Sequence, residues 1–306
     1  MKILVVGAGA IGGYFGGRLM EKGEDVTFLV REKRMKQLDR DGLIVDSVKG
    51  DIKLKPKTLI SGEEAGDFDV VLLTTKAYQL EGAIESVRPY VGENTIVLPL
   101  LNGIAHMPKL KAAFDGDQVI GGLCFIETTL DEGGKVIQTS PSHELVFGEL
   151  SGEKTDRILR LQEAFSGTKA DFRLSDNIEQ DMWHKYLFIA TMSGVTSLFR
   201  SPIGPIRDQK VGIETIKNVL KETAEIMRAV GAPIADEIES AQLNRMNELG
   251  YGMKSSLQRD MEKNISIEAD HFFGFLLEKG KDKDLEPPVL TAIHTNLKIY
   301  ENGLKS

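Results

Sequence analysis

Gly7-Ala8-Gly9-Ala10-Ile11-Gly12 directly follows the short apolar run Lys2–Val6. After a strand and before a helix, a Gly-x-Gly-x-x-Gly pattern suits a pyrophosphate cradle. Gly7 permits the tight turn, Gly9 lets the backbone approach phosphate, and Gly12 lets the helix lie close to the strand. The helix start then offers unpaired N–H groups to an anion. The next strand-like run, Asp25–Val30, ends in Arg31, where sites for an unphosphorylated ribose usually place an acid. A carboxylate repels a 2′-phosphate, whereas the guanidinium fork pairs with it. The two signals together point to NADPH/NADP+ as cofactor. Lys33 and Arg34 would add positive charge, and a solvated charge run is the plainer alternative for this stretch.

A nicotinamide cofactor makes hydride transfer the chemistry to look for. It needs a carbonyl held in line, stabilisation of developing alkoxide charge, and a proton. Lys185 lies in Trp183-His184-Lys185-Tyr186, on an otherwise largely apolar helix-like segment. Partial desolvation would fit it as the proton donor, with His184 a weaker candidate, and a snorkelling surface lysine is the structural alternative. Asn102 and Lys76 each stand just beyond an apolar strand, where open α/β sheets bind ligands. An asparagine can orient a carbonyl or carboxylate, although Asn102-Gly103 also reads as an ordinary turn. Ser256 offers a hydroxyl to a substrate oxygen. Glu268, flanked by apolar residues, could accept a bond from a substrate hydroxyl or serve only as a cap or surface ion pair. His106, His143, His271 and His294 lack a metal-ligand spacing, so no metal site is expected.

These residues need a scaffold, and the chain supplies two kinds. Its first half alternates strands and helices: Lys2–Val6, Val26–Val30, Asp69–Thr74 and Thr95–Leu98 as strands, Tyr14–Lys22 and Leu80–Val87 as helices. Leu43–Val48 and Ile52–Lys55 read as a hairpin-like excursion. Gln118–Glu127, Lys135–Thr139, Leu145–Phe147 and Asp171–Leu174 read as further strands around a helix at Asp156–Phe165. Such alternation predicts an α/β Rossmann-type domain with a mostly parallel sheet, over residues 1–175. From residue 176 to 306 the periodicity is helical, which predicts an all-α C-terminal domain. The candidate helices are Glu179–Met192, Val211–Val230, Pro233–Leu249, Ser255–Lys263, Ile267–Lys279 and Val289–Asn302. That domain is expected to bind substrate across a cleft. Homodimerisation through it is compatible with the helix pattern, which does not separate a dimer face from a core.

Composition narrows the class further. With 41% hydrophobic residues over 306 positions, the chain can bury two real cores. A net charge of −8 and the lack of basic–aromatic interleaving argue against nucleic-acid binding. No run reaches membrane-spanning length and no targeting pattern precedes the first strand, so a soluble cytoplasmic protein is expected. The one cysteine, Cys124, excludes an internal disulfide framework.

Taken together, the glycine turn, Arg31, Thr75-Lys76, Asn102-Gly103, Trp183-x-Lys185, Ser255-Ser256 through Asp260, and Ile267-Glu268-Ala269-Asp270 with Gly274 resemble the ketopantoate reductase family (2-dehydropantoate 2-reductase) over nearly the full length. The resemblance implies a Rossmann domain and a helical domain with NADPH and a small 2-oxoacid between them. It implies reduction of 2-dehydropantoate to (R)-pantoate, a step toward pantothenate. By the same resemblance Arg31 and Lys76 contact cofactor, Asn102 bridges nicotinamide and substrate, Lys185 is the general acid, and Ser256 and Glu268 hold substrate. Where family members often carry asparagine, this chain has Ile189, Ser193 and Phe273. A pocket with fewer polar anchors would hold a carboxylate or hydroxyl differently. A related reductase of another 2-oxoacid is therefore the alternative enzyme, and a non-catalytic NADPH-binding sensor is the alternative of another class.

Overall fold

In the computed structural model, which describes residues 1–304, contacts divide the chain into two compact units. One comprises Met1–Leu101 with His106–Glu179; the other comprises Asn102–Ala105 with the chain from Gln180 onward.

The first unit opens with β1 (Lys2–Val6), α1 (Ala10–Lys22), β2 (Asp25–Leu29), α2 (Glu32–Asp41), β3 (Leu43–Ser47), β4 (Ile52–Leu54), β5 (Lys57–Leu59), β6 (Val70–Leu73), α3 (Leu80–Val87) and β7 (Ile96–Pro99). Five of these strands form a wholly parallel sheet in the order β5-β2-β1-β6-β7. Ile3, Leu4 and Val5 of β1 and all four residues of β6 are buried. Unbroken apolar strands of this kind belong at the middle of a sheet covered on both faces. The carboxyl ends of β1, β2 and β6 lie side by side, with Val6 paired to Leu29 and to Leu73. That edge is where the glycine turn, Arg31 and Lys76 all emerge.

The sequence segments after Gly103 do not extend that parallel sheet. After α4 (His106–Ala113) come β8 (Gly121–Leu130), β9 (Val136–Gly148), α5 (Asp156–Phe165) and β10 (Asp171–Leu174), and these strands join β3 and β4 in a second, mixed sheet. Lys135–Thr139 and Leu145–Phe147, expected as separate strands, are the two ends of the single 13-residue β9. One end of β9 pairs in parallel with β3 and the other with β10, while β8 runs antiparallel along it. Strand β5 escapes a reading of periodicity because three residues, Lys57-Thr58-Leu59, are too short to show one. The charge run after Arg31 is helical: α2 buries only Leu38 fully and exposes its other face, with Glu32 and Lys36 paired one turn apart.

The second unit is helical: α6 (Ile178–Phe199), α7 (Ile203–Arg207), α8 (Lys210–Ala229), α9 (Ile238–Glu248), α10 (Ser256–Glu262), α11 (Phe275–Lys281) and α12 (Pro288–Gly303). Helix α8 packs against α7, α9, α11 and α12. The segment expected as one helix from Ile267 is divided by a π turn at Asp270–Gly274, immediately ahead of α11. Helix α6 is buried along most of Ala190–Ser197, yet this stretch holds Thr191, Thr196 and Ser197. Their hydroxyls bond back to the carbonyls of Leu187, Met192 and Ser193, so burial leaves those donors satisfied. No helix among the described residues is long and apolar enough to cross a membrane.

Candidate functional site

The glycine turn takes the form its residues require. Gly7 has φ +94, a left-handed conformation costly for any residue with a Cβ, and its N–H bonds Leu29 O at 2.9 Å. A Cβ on Gly12 would lie 2.1 Å from Gly7 O and 2.4 Å from Thr74 Oγ1, so only glycine lets α1 start this close to β1. Around Gly9, by contrast, the corresponding position faces open space. Gly9 is the N-cap of α1 and supplies no side-chain acceptor, and the first N–H closed by the helix is Gly13 to Gly9 O at 2.8 Å. The N–H groups of Ala10, Ile11 and Gly12 are the ordinary orphan donors of a helix start.

Arg34 was expected to enlarge a positive pocket; it has another task. Its Nε and one terminal nitrogen both donate to Ala8 O, at 3.1 and 2.8 Å, and its other terminal nitrogen donates to Gln37 Oε1 and Gly134 O, both at 2.7 Å. The fork is thus committed to bracing the glycine turn. Arg31 differs: it is exposed at the N-cap of α2 and makes no side-chain hydrogen bond or ion pair among the described residues. At the end of β6, Thr74 donates to Val6 O at 2.8 Å, Thr75 Oγ1 is buried without a partner, and half-buried Lys76 begins a short 3₁₀ turn. An uncapped helix start, an uncommitted guanidinium and an orphaned hydroxyl on one sheet edge fit an anionic dinucleotide better than they fit a closed protein core.

In the second unit the structure joins two expected residues 83 positions apart. Lys185, only 6% exposed on α6, donates from Nζ to Asn102 Oδ1 at 2.9 Å. A snorkelling surface lysine would carry its ammonium into solvent; this one delivers it to the amide oxygen of half-buried Asn102. His184, next to it, is occupied elsewhere: its Nε2 accepts the Ala235 N–H at 3.0 Å. Burial pushes its pKa below the ordinary value against the opposing pull of Asp181, which favours the neutral imidazole that accepts this bond.

Ser256 is exposed at the first residue of α10, while the preceding Ser255 is buried. Ser255 Oγ caps the helix by accepting from Gln258 N at 3.1 Å and bonds Thr196 Oγ1 at 2.8 Å. This division leaves Ser256 as the hydroxyl available to an external group. Glu268 is half-buried, one turn ahead of Phe272, whose N–H bonds its carbonyl at 3.0 Å. Of the residues without an asparagine, Phe273 is fully buried in the core, whereas half-buried Ile189 and buried Ser193 continue the α6 face of Lys185 at one- and two-turn spacing.

Sequence reasoning passed over His271 because its spacing suits no metal. Its Nε2 lies 2.6 Å from the main-chain oxygen of Asn102. The nearest signal was its place three residues after Glu268; a backbone acceptor 169 positions away leaves no trace in residue types.

Comparison with known proteins places the chain in a family. The model described as ketopantoate reductase PanE/ApbA matches residues 3–152, and its C-terminal counterpart matches residues 177–301. An uncharacterized oxidoreductase of Bacillus subtilis, YkpB, is 49% identical over 98% of this chain and 99% of its own length. The 2-dehydropantoate 2-reductase of Pyrococcus horikoshii is 27% identical over 99% of this chain and 98% of its own. The crystal structure of 2-dehydropantoate 2-reductase from Geobacter metallireducens superposes with TM-score 0.88 at 28% identity, covering 98% of this chain and 99% of the other.

Proposed function

Since the chain belongs to the ketopantoate reductase PanE/ApbA family of oxidoreductases, we propose that it reduces 2-dehydropantoate to (R)-pantoate with NADPH, Lys185 giving the proton. The observation that carries this reading is the bond from buried Lys185 Nζ to Asn102 Oδ1. In the reaction the carbonyl carbon gains a hydride and its oxygen gains a proton. When bound, the dinucleotide supplies the hydride.

The chain's own residues do the rest. The N-terminus of α1 and the Gly7–Gly12 backbone receive the pyrophosphate, Arg31 pairs with the 2′-phosphate, and Lys76 adds positive charge at the adjacent strand end. Asn102 Oδ1, by accepting from Lys185, sets the direction of the ammonium. An ammonium so held stabilises negative charge growing on the carbonyl oxygen and then donates its proton there. Ser256 and Glu268 hold the substrate, Glu268 as acceptor for a hydroxyl.

A second reading has an observation of its own. One helical turn beyond Lys185 the α6 face presents the side chain of Ile189. An apolar group there favours a 2-oxoacid without a hydroxyl at the matching position, because a hydroxyl left unpaired there loses its hydrogen bond to water. The deciding experiment measures NADPH and NADH oxidation by the purified protein with 2-dehydropantoate and with a panel of branched 2-oxoacids. Turnover led by 2-dehydropantoate with NADPH supports the first reading. Strong turnover confined to another acid replaces it with the second.

A further inference from the structure

We propose that His271 is a positioning residue for the reduction, fixing Asn102 through its main-chain carbonyl and thereby aiming Lys185; this rests on the reductase reading above. Asn102 is held at two points, its side-chain oxygen by Lys185 Nζ at 2.9 Å and its carbonyl oxygen by His271 Nε2 at 2.6 Å. A carbonyl only accepts, so Nε2 of His271 carries the proton. The imidazole can come this close because the following residue is glycine. Gly103 has φ +75, and a Cβ there would stand 3.3 Å from His271 Nε2 and 3.6 Å from Tyr186 Cε2.

The imidazole is itself anchored. His271 lies in the π turn Asp270–Gly274, a backbone irregularity of the kind that often marks functional sites. On one side of it Asp270 pairs with His294 at 2.9 Å and Lys298 at 2.7 Å, both on α12. On the other, the fully buried Tyr186 hydroxyl donates to Phe272 O at 2.5 Å. Burial pushes the Tyr186 phenol far above its ordinary range, so it remains a donor. Tyr186 follows Lys185 directly, and Phe272 follows His271. The bonds therefore close a ring: Lys185 to Asn102, Asn102 to His271, Phe272 to Tyr186, and back along α6. Glu268 belongs to the same segment through the Phe272 N–H. His271 thus fixes the distance between the proton donor's partner and the carboxylate assigned to substrate.

The test compares H271A, H271F and H271Q in the full-length protein. Phe keeps ring volume without a donor, and Gln offers an amide N–H at similar reach. H271F and H271A are expected to lower kcat by about ten- to a hundredfold, the scale of a small misplacement of reacting groups. KM and NADPH affinity should stay within about twofold, and H271Q should recover most of the loss. Equal kcat for wild type and H271F, or a Gln variant as impaired as Phe, overturns the proposal. Thermal melts accompany the kinetics; if H271A does not fold, the Phe–Gln comparison decides. Independently of turnover, NMR on isotope-labelled histidine above the imidazole's titration range should find the proton on Nε2; a proton on Nδ1 alone overturns the proposal. Wild-type protein that reduces no 2-oxoacid removes the reductase reading, and this role of His271 with it. Active wild type with equally active H271F removes the role of His271 alone.

Discussion

Arg34 grips the carbonyl of Ala8 with two donors of one guanidinium, at 2.8 and 3.1 Å, while Arg31 at the head of the same helix makes no side-chain bond among the described residues. Two arginines three positions apart thus differ: one guanidinium is spent on the protein, and the other is uncommitted among the described residues and is the one proposed for the 2′-phosphate. Arg31→Ala should weaken NADPH binding by about tenfold or more and leave NADH binding nearly unchanged, since a charged hydrogen bond to a phosphate is lost. Arg34→Lys, which cannot keep a fork on one carbonyl, should weaken both cofactors alike. Fluorescence titration of each variant with each cofactor checks both. Equal weakening of the two by Arg31→Ala would count against pairing with a 2′-phosphate.

Removing the ammonium separates chemistry from cofactor binding. Lys185→Ala should cut kcat by at least about a hundredfold, the lower range for loss of a general acid. NADPH affinity should change by no more than about twofold, because the role proposed for Lys185 is to aim an ammonium from its bond with Asn102 Oδ1 and the pyrophosphate is assigned to the Gly7–Gly12 backbone. Steady-state kinetics beside cofactor titration measures both quantities. Tight NADPH binding with no 2-oxoacid turnover in wild type would favour a cofactor sensor.

Substrate choice can be tested at one position on α6. Ile189→Asn restores a polar anchor one turn from Lys185. It should raise kcat/KM for 2-dehydropantoate relative to a 2-oxoacid of similar shape without the hydroxyl, by about tenfold, the worth of one paired hydroxyl. A ratio unmoved by the substitution would mean that Ile189 does not face the substrate.

His184 gives a pH signature for stability. Burial lowers its folded-state pKa below 6.5, with Asp181 opposing, and its Nε2 accepts the Ala235 N–H, which an imidazolium cannot do. The unfolded chain therefore binds a proton at higher pH than the folded one. This contribution is complete above about pH 6.5 and declines as pH falls from there toward the lowered folded value. Melting temperatures of wild type and His184→Gln should diverge above that range and converge below it. Curves that stay parallel throughout would exclude the effect.

How much of this was legible in residue types depends on how each contact is made. Gly7–Gly12 could be read because glycine is the only residue that tolerates both the φ of Gly7 and the 2.1 Å approach behind Gly12. Lys185 and Asn102 could be nominated separately, one as a lysine on an apolar helix and one as a polar residue at a strand end. Their meeting could not be read, since 83 residues lie between them and no local pattern encodes a distant partner. His271 was illegible for a stronger reason: its partner is a peptide carbonyl, which every residue type carries. The second sheet was misread because β9 serves β3, β8 and β10 along one strand, so its two ends face different neighbours and show different patterns.

Asn102–Ala105 lies in the chain between β7 and α4 yet groups by contacts with the helical unit. Recombination among relatives at the boundary near Gln180 would carry Lys185 and His271 together and leave behind Asn102, which both of them bond. A chimaera built that way pairs the Lys185 ammonium of one parent with the Asn102 amide of another. The two halves of this chain are therefore not freely interchangeable modules, and a graft of the helical half must bring Asn102–Ala105 with it.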